Sequence, residues 1–214
     1  MTHEQRHAAE SIFLNFRKSK CPYQMCKELL DTCKNDYVLF EASSLIKDAL
    51  IREWRELPLE VIRDVRQYLL QYVVSRIDLA GFVRERIVQV IAIMVKRQSV
   101  EDGGEDRALV VKEVQQLITS GNQSMQTIGC AIISAVMQEY ATTVKSSDVG
   151  LPWEVHFKVK KQFEVSDLQN IFKFSVSALK ELAAQLVVPL SSELENLIRR
   201  LVIIAECVLR EEFE

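Results

Sequence analysis

Apolar residues recur along almost the whole chain at the three- and four-residue spacing that places side chains on one face of an α-helix. Prolines, glycines and capping residues interrupt this pattern at short intervals, so the sequence predicts about ten helices. By position these are 3–18 after the cap Thr2, 22–34, 36–54 capped by Asp36, 58–76, 79–97, 107–120, 122–143, 152–163, one following the cap Ser166, and one from 190 to about 213 after Pro189. The acidic stretch 100–106 and residues 145–151 are predicted to be loops.

Three of the predicted helices resemble one another. Segments that begin at residues 38, 82 and 124, and so lie 44 and 42 residues apart, keep three columns apolar throughout. The columns are Ile46/Val90/Ile132, Ala49/Ile93/Ala135 and Leu50/Met94/Val136. Another helix follows each copy, and helix pairs with a period of roughly 40 to 47 residues are typical of HEAT and armadillo repeats. A generic helical bundle is the alternative, but it gives no reason for a fixed offset.

The expected fold is therefore all-α. Residues 1–214 should form a single solenoid, an α-α superhelix of about five consecutive HEAT-type antiparallel helix pairs. The last predicted helix keeps an apolar stripe where a terminal repeat usually has a polar outer face, so we expect the chain to be the N-terminal part of a much longer protein.

Composition narrows the possibilities further. Six glycines and four prolines in 214 residues disfavour β-rich and Rossmann-like folds, which need many turns. A formal net charge of −3 argues against a dedicated nucleic-acid binder. Apolar runs fall well short of the roughly 20 residues of a membrane span. The odd number of cysteines, five, favours reduced thiols inside the cell.

Few residues could carry chemistry. His3 and His7 share a helix face near three cysteines, but the cysteine spacings are not those of zinc fingers. Cys26 and Cys33 instead fit the buried stripe of the second helix. His156 has no nucleophile motif around it, and the Gly-Gly pair lies among acidic residues that would repel phosphate. We therefore predict no enzyme activity, no catalytic residue, no metal site and no cofactor.

Several longer segments have a distinctive order of residues. They are EQRHAAESIFLNFRKSK at 4–20, DYVLFEASSLIKDALIREW at 36–54, LPL at 57–59, YLLQYV at 68–73, VRERIVQVIAIMVKR at 83–97, QLITSGN at 116–122, DLQNIF at 167–172 and IRRLVIIAECVL at 198–209. Taken in this order they resemble the N-terminal repeats of exportins, members of the importin-β superfamily of nuclear transport receptors. The resemblance covers nearly the whole chain.

The resemblance implies a receptor that binds protein cargo together with the GTP-bound form of the GTPase Ran in the nucleus. It would release both after GTP hydrolysis in the cytoplasm, so the protein would shuttle between nucleus and cytoplasm through the nuclear pore. The implied cargo is the hypusine-bearing translation initiation factor five A. Its partners would be Ran, cargo and nuclear pore proteins, with no direct binding to nucleic acid or membrane.

The resemblance also implies where Ran is contacted. In this superfamily the second helix of each N-terminal pair contacts Ran from the concave side, which here corresponds to residues 22–34, 58–76 and 107–120. The polar residues that we expect to contact Ran are Lys27, Asp31, Arg63, Gln67, Lys112 and Gln116.

Two other interpretations remain open. One is a HEAT-repeat scaffold or adaptor unrelated to nuclear transport, and nucleotide-dependent binding to Ran would distinguish the export receptor from it. The other is an all-α enzyme, which would require a deep pocket with convergent polar groups.

Overall fold

The architecture comes from a computed structural model that describes residues 3–141, 150–184 and 190–213. Four sequence predictions fall wholly or mostly outside these ranges: the cap Thr2, the end of the seventh helix near Thr143, the loop 145–151 and the helix start at Pro189. The described ranges contain ten α-helices and no strand, which confirms the predicted helix count. The helices are α1 (His3–Arg17), α2 (Tyr23–Thr32), α3 (Asp36–Glu53), α4 (Leu59–Ser75), α5 (Gly81–Asp102), α6 (Glu105–Ile118), α7 (Gln123–Tyr140), α8 (Trp153–Ser166), α9 (Leu168–Ala184) and α10 (Ser192–Phe213).

The helices stack in two rows. α1, α3, α5, α7 and α10 form the first row, and each packs against the next. α2, α4, α6 and α9 form the second row, in which side chains connect α2 to α4 and α4 to α6, and α9 packs on α6. Antiparallel helices in repeated contact confirm the predicted all-α, HEAT-type solenoid.

The repeat columns form the middle of this stack. Eight of their nine side chains are buried, and the ninth, Ala135, is partly buried against the same core. α5 lies between α3 and α7 and is buried along most of its length. None of the described helices combines the length and the apolar character needed to cross a membrane.

The last pair, α9 and α10, forms as predicted, but the predicted rows of α8 and of the helices in this pair are wrong. Consecutive pairing would make α8 and α10 the second helices of the last two pairs. Instead α8 packs across α5, α7 and α9, and α10 packs on α7 as well as on α9, which places it in the first row. The buried side chains of α8 are His156, Val159 and Phe163, and the Phe163 ring stacks on Tyr140 of α7, which holds α8 against the first row.

The predicted loop at 100–106 is also wrong. α5 continues to Asp102, and only Gly103 and Gly104, with φ of 68° and 100°, separate it from α6. The acidic residues stabilise this junction, because the Asp102 carboxylate accepts from the N–H groups of Gly104 (2.7 Å) and Asp106 (3.1 Å). Asp102 thus caps α6 from the last residue of α5.

Two predicted caps are displaced. The cap of α3 is Asn35 rather than Asp36, because the Asn35 side-chain oxygen accepts from the N–H groups of Tyr37 (3.0 Å) and Val38 (3.4 Å). Ser166 does not cap α9 but is the last residue of α8. The boundary between α8 and α9 falls at Asp167, whose carboxylate forms an ion pair with Arg107 of α6.

Buried and half-buried ion pairs connect successive repeats along the stack. Three of them in the described ranges join Arg66 to Asp106, Lys96 Nζ to Glu139 Oε2 at 3.7 Å, and Arg107 Nε to Asp167 Oδ2 at 2.8 Å. Each pair joins side chains of two different elements, an arrangement suited to specifying the register of neighbouring repeats.

Candidate partner-binding surface

The exposed face of the second row lies on α2, α4 and α6, the helices that the resemblance assigns to Ran contact. All six predicted contact residues are exposed on these helices: Lys27 and Asp31 on α2, Arg63 and Gln67 on α4, and Lys112 and Gln116 on α6. The opposite faces carry the buried residues, among them Leu30, Leu69 and Val114. We call the exposed faces of these three helices the second-row surface.

Tyr68 of α4 brings the two α2 residues together. Its hydroxyl donates to Asp31 Oδ1 at 2.7 Å and lies 3.4 Å from the Lys27 carbonyl oxygen. The Lys27 amine lies 4.7 Å from the Tyr68 ring centroid, a cation–π distance. Burial, and then the hydrogen bond to Asp31, raises the pKa of Tyr68, so its hydroxyl remains a donor at neutral pH. Lys27 and Asp31 are therefore held in position before any partner binds.

Tyr72, one turn further along α4, fixes the end of α2. Its buried hydroxyl donates to the Leu30 carbonyl at 2.9 Å. The Arg76 guanidinium lies 5.5 Å from the Tyr72 ring and bonds to Asp78 at 3.0 Å. Two hydroxyl contacts one turn apart thus tie α2 to α4.

A groove of about 360 Å³ separates α2 from α4 at the surface. Its lining is partly apolar and partly charged: Cys21, Tyr23, Gln24, Lys27, Ile46, Val61, Asp64, Val65 and Tyr68. Apolar walls with charged residues of both signs at the edge are suited to a protein side chain.

Arg63, Gln67, Lys112 and Gln116 make no side-chain hydrogen bond or ion pair within the described part of the chain. The half-buried ion pair between Arg66 and Asp106 joins α4 to α6. The structure thus brings Lys27 and Asp31 together through Tyr68 and leaves the other four side chains available to a partner.

The chemistry of this surface is that of recognition. Basic residues alternate with exposed acidic ones, among them Glu28, Asp64 and Glu113. Across the described ranges, no group of three or more His, Cys, Asp or Glu residues is placed to hold a metal ion. Mixed charges on a rigid helical face give specificity and faster association with a protein of complementary charge.

Sequence reasoning missed Tyr68 and Tyr72 as parts of this surface. Both occur in a segment that carries the family resemblance, and their four-residue spacing places them on one helix face. That spacing was a usable signal, but nothing in the sequence indicates that the face meets α2.

Comparison with known proteins identifies relatives of this chain. A profile of the Exportin-4 family matches residues 1–210. Exportin-4 of Dictyostelium discoideum is 24% identical over 188 residues, covering 83% of this chain and 17% of that protein. Exportin-7-A of Xenopus laevis is 25% identical over 178 residues, covering 82% and 16%. Human Ran-binding protein 17 is 28% identical over 183 residues, covering 85% and 16%.

The chain thus spans 16% or 17% of the length of these curated relatives. The identities are low but extend across the two-row stack, and the family profile covers nearly every residue. The chain therefore belongs to the exportin-4 family.

Proposed function

We propose that this chain is the N-terminal, Ran-binding segment of a nuclear export receptor. In this function residues 1–214 are one HEAT-repeat segment that binds GTP-bound Ran in the nucleus, together with protein cargo held mainly by other parts of the receptor. GTP hydrolysis in the cytoplasm releases both, so the protein shuttles between the two compartments. The segment acts by binding and has no catalytic role.

The observation that carries this proposal is the exportin-4 family match over residues 1–210. The second-row surface supports it, because α2 and α4 are held rigidly and four exposed polar side chains lack partners in the described ranges. The name of the related Ran-binding protein 17 also favours Ran as the partner.

The cargo proposal follows from the exportin-4 family in particular. It names the hypusine-bearing translation initiation factor five A, and nuclear pore proteins as further partners during passage. Direct binding of nucleic acid or membrane forms no part of this function.

Nucleotide-dependent binding tests the proposal. Ran loaded with a non-hydrolysable GTP analogue or with GDP is titrated against the chain by calorimetry. We expect a complex with the GTP form and at least about tenfold weaker binding of the GDP form, a difference of about 1.4 kcal/mol. Equal binding of both forms, or no binding up to the solubility limit of Ran, would contradict the proposal and favour a scaffold outside nuclear transport.

Charge reversal then tests the surface. Arg63→Glu combined with Lys112→Glu should weaken binding of the GTP form, because both side chains are exposed and unpaired within the described residues. Arg200→Glu is the matched control, since Arg200 is exposed on α10 in the first row. Equal effects of the two variants would show that Ran binds elsewhere on the chain.

A further inference from the structure

α8 carries an exposed stripe that the proposed function does not use. Trp153 (52% exposed), Phe157 (54% exposed), Lys161 and Val165 (79% exposed) follow one another at a spacing of four residues. Side chains at this spacing are neighbours on a helix surface. Three large apolar side chains in one exposed row are unusual for a protein face that only meets water.

The opposite face of α8 is well anchored. His156, Val159 and Phe163 are buried, and the Phe163 ring stacks on Tyr140 of α7 with centroids 4.4 Å apart. The Trp153 ring also lies against His156, with centroids 5.3 Å apart. The stripe is therefore displayed from a fixed helix, and a partner would not need to order it on binding.

The charge beside the stripe is basic. Lys158 and Lys161 are exposed and have no ion pair within the described ranges, whereas Lys160 pairs with Glu164 at 2.9 Å. Glu154 is the acidic side chain on the exposed face. A ligand with acidic groups beside apolar ones would complement both the free lysines and the aromatic rings.

A protein segment fits this combination better than a membrane or a nucleic acid. Interfacial helices carry a strongly basic polar face, and single-strand binders combine stacking rings with a continuous basic groove. α8 offers two exposed lysines without an ion pair in the described ranges, with the exposed Glu154 one turn before Lys158, which is too little positive charge for either.

We propose that the stripe Trp153–Phe157–Lys161–Val165, with Lys158, is a docking surface for an acidic segment of a partner protein that carries aromatic or aliphatic anchor residues. The apolar anchors pack on Trp153 and Phe157, and the carboxylates face Lys158 and Lys161. This surface lies on α8, outside the second-row surface, so it does not depend on the proposed binding of Ran.

Trp153 provides a direct readout. The chain has two tryptophans, and the other, Trp54, is 4% exposed, so a ligand that covers α8 changes the emission of Trp153 selectively. The probe is a short synthetic peptide in which glutamate alternates with leucine and phenylalanine. We expect its binding to shift the tryptophan emission to the blue and to weaken as salt is raised.

Surface variants locate the site. Lys158→Glu combined with Lys161→Glu should weaken binding of the peptide by about tenfold or more. Phe157→Ser should weaken its binding by about tenfold. These side chains are exposed, so circular dichroism and urea unfolding should match the wild type. Leu109→Ser and Lys180→Glu are the matched controls, because Leu109 is 59% exposed on α6 and Lys180 is exposed on α9.

The proposal is overturned if the peptide leaves the Trp153 emission unchanged, or if charge reversal on α8 has no more effect than the controls. It is equally overturned if a peptide with lysine in place of glutamate binds as well. Phosphatidylserine vesicles or oligothymidylate that shift Trp153 where the acidic peptide does not would assign the stripe to another class of ligand. Loss of Ran binding has no bearing on any of these outcomes.

Discussion

At the scale of single residues, His156 is a buried base. It is 0% exposed, and neither ring nitrogen has a hydrogen-bond partner among the residues that the structure describes. Burial, with Lys96 and Lys160 nearby, lowers its pKa below 6.5. The folded protein therefore keeps the imidazole neutral, while the unfolded chain takes up a proton near the ordinary pKa. The resulting stability is fully present above pH 6.5 and is lost as the pH falls below that value.

Replacement of His156 by Gln should remove this pH dependence. In the wild type we expect the free energy of unfolding to fall below pH 6.5 by up to about 1.4 kcal/mol per pH unit more than in the variant. Urea unfolding at a series of pH values measures both curves. Parallel stability curves for wild type and variant would mean that the pKa of the imidazole is the same in the folded and the unfolded state.

Gly104 is the second residue whose surroundings allow a sharp prediction. Its φ is +100°, and a Cβ there would lie 2.5 Å from Arg107 Nη2. Gly103 has a φ of +68° but open space around a Cβ. Gly104→Ala should therefore cost about 3 kcal/mol, from strain and a displaced guanidinium, and Gly103→Ala about 1 kcal/mol from strain alone. Urea denaturation of the two variants measures the loss in free energy of unfolding. Equal losses would show that the Arg107 side chain can move away from the added methyl group without destabilising the fold.

At the scale of elements, α2 depends on hydroxyl contacts from α4. Tyr72→Phe removes the donor to the buried Leu30 carbonyl, and we expect a loss of about 1 to 3 kcal/mol. The loss should be local, so amides of Tyr23–Thr32 should exchange faster with deuterium while those of α5 stay protected. Tyr37→Phe is the control, because Tyr37 is 77% exposed. Uniform deprotection of all helices would contradict a local role for Tyr72.

The elements also show what the sequence could predict. Apolar periodicity located all ten described helices, and the repeat columns identified core positions such as Ile46 and Val90. It failed where side chains override local propensity. Asp102 caps α6 and lets α5 run through an acidic stretch, and α8 packs on α7 through the Phe163–Tyr140 ring stack instead of joining the second row.

The sequence predicted which helices carry the candidate surface, but not which side chains contact one another on it. The resemblance placed Lys27 and Asp31 on an exposed face, and both are exposed. Their meeting with Tyr68 depends on how α2 and α4 pack, which no local pattern encodes. The six side chains remain predicted Ran contacts, and the four without partners in the described ranges are the ones that the charge-reversal experiment probes.

At the scale of the whole molecule, a buried ion pair joins neighbouring repeats, and we infer that it helps to set their register. Arg107 and Asp167 are 2% and 7% exposed at their side chains, and they join α6 to the α8–α9 junction at 2.8 Å. Burial raises the pKa of Asp167 even though Arg107 lowers it, so desolvation outweighs the attraction of the pair for this carboxyl. The pair should therefore contribute more to register than to stability.

This interpretation predicts a strongly non-additive double-mutant cycle. Arg107→Met or Asp167→Asn alone should cost about 3 to 5 kcal/mol, because each leaves a buried group without its partner. The double variant should cost much less than the sum, since neither charge then remains buried. Urea unfolding of the four proteins measures the coupling. Additive losses would show that the two side chains act independently, and α9 would then owe its place beside α6 to apolar packing alone.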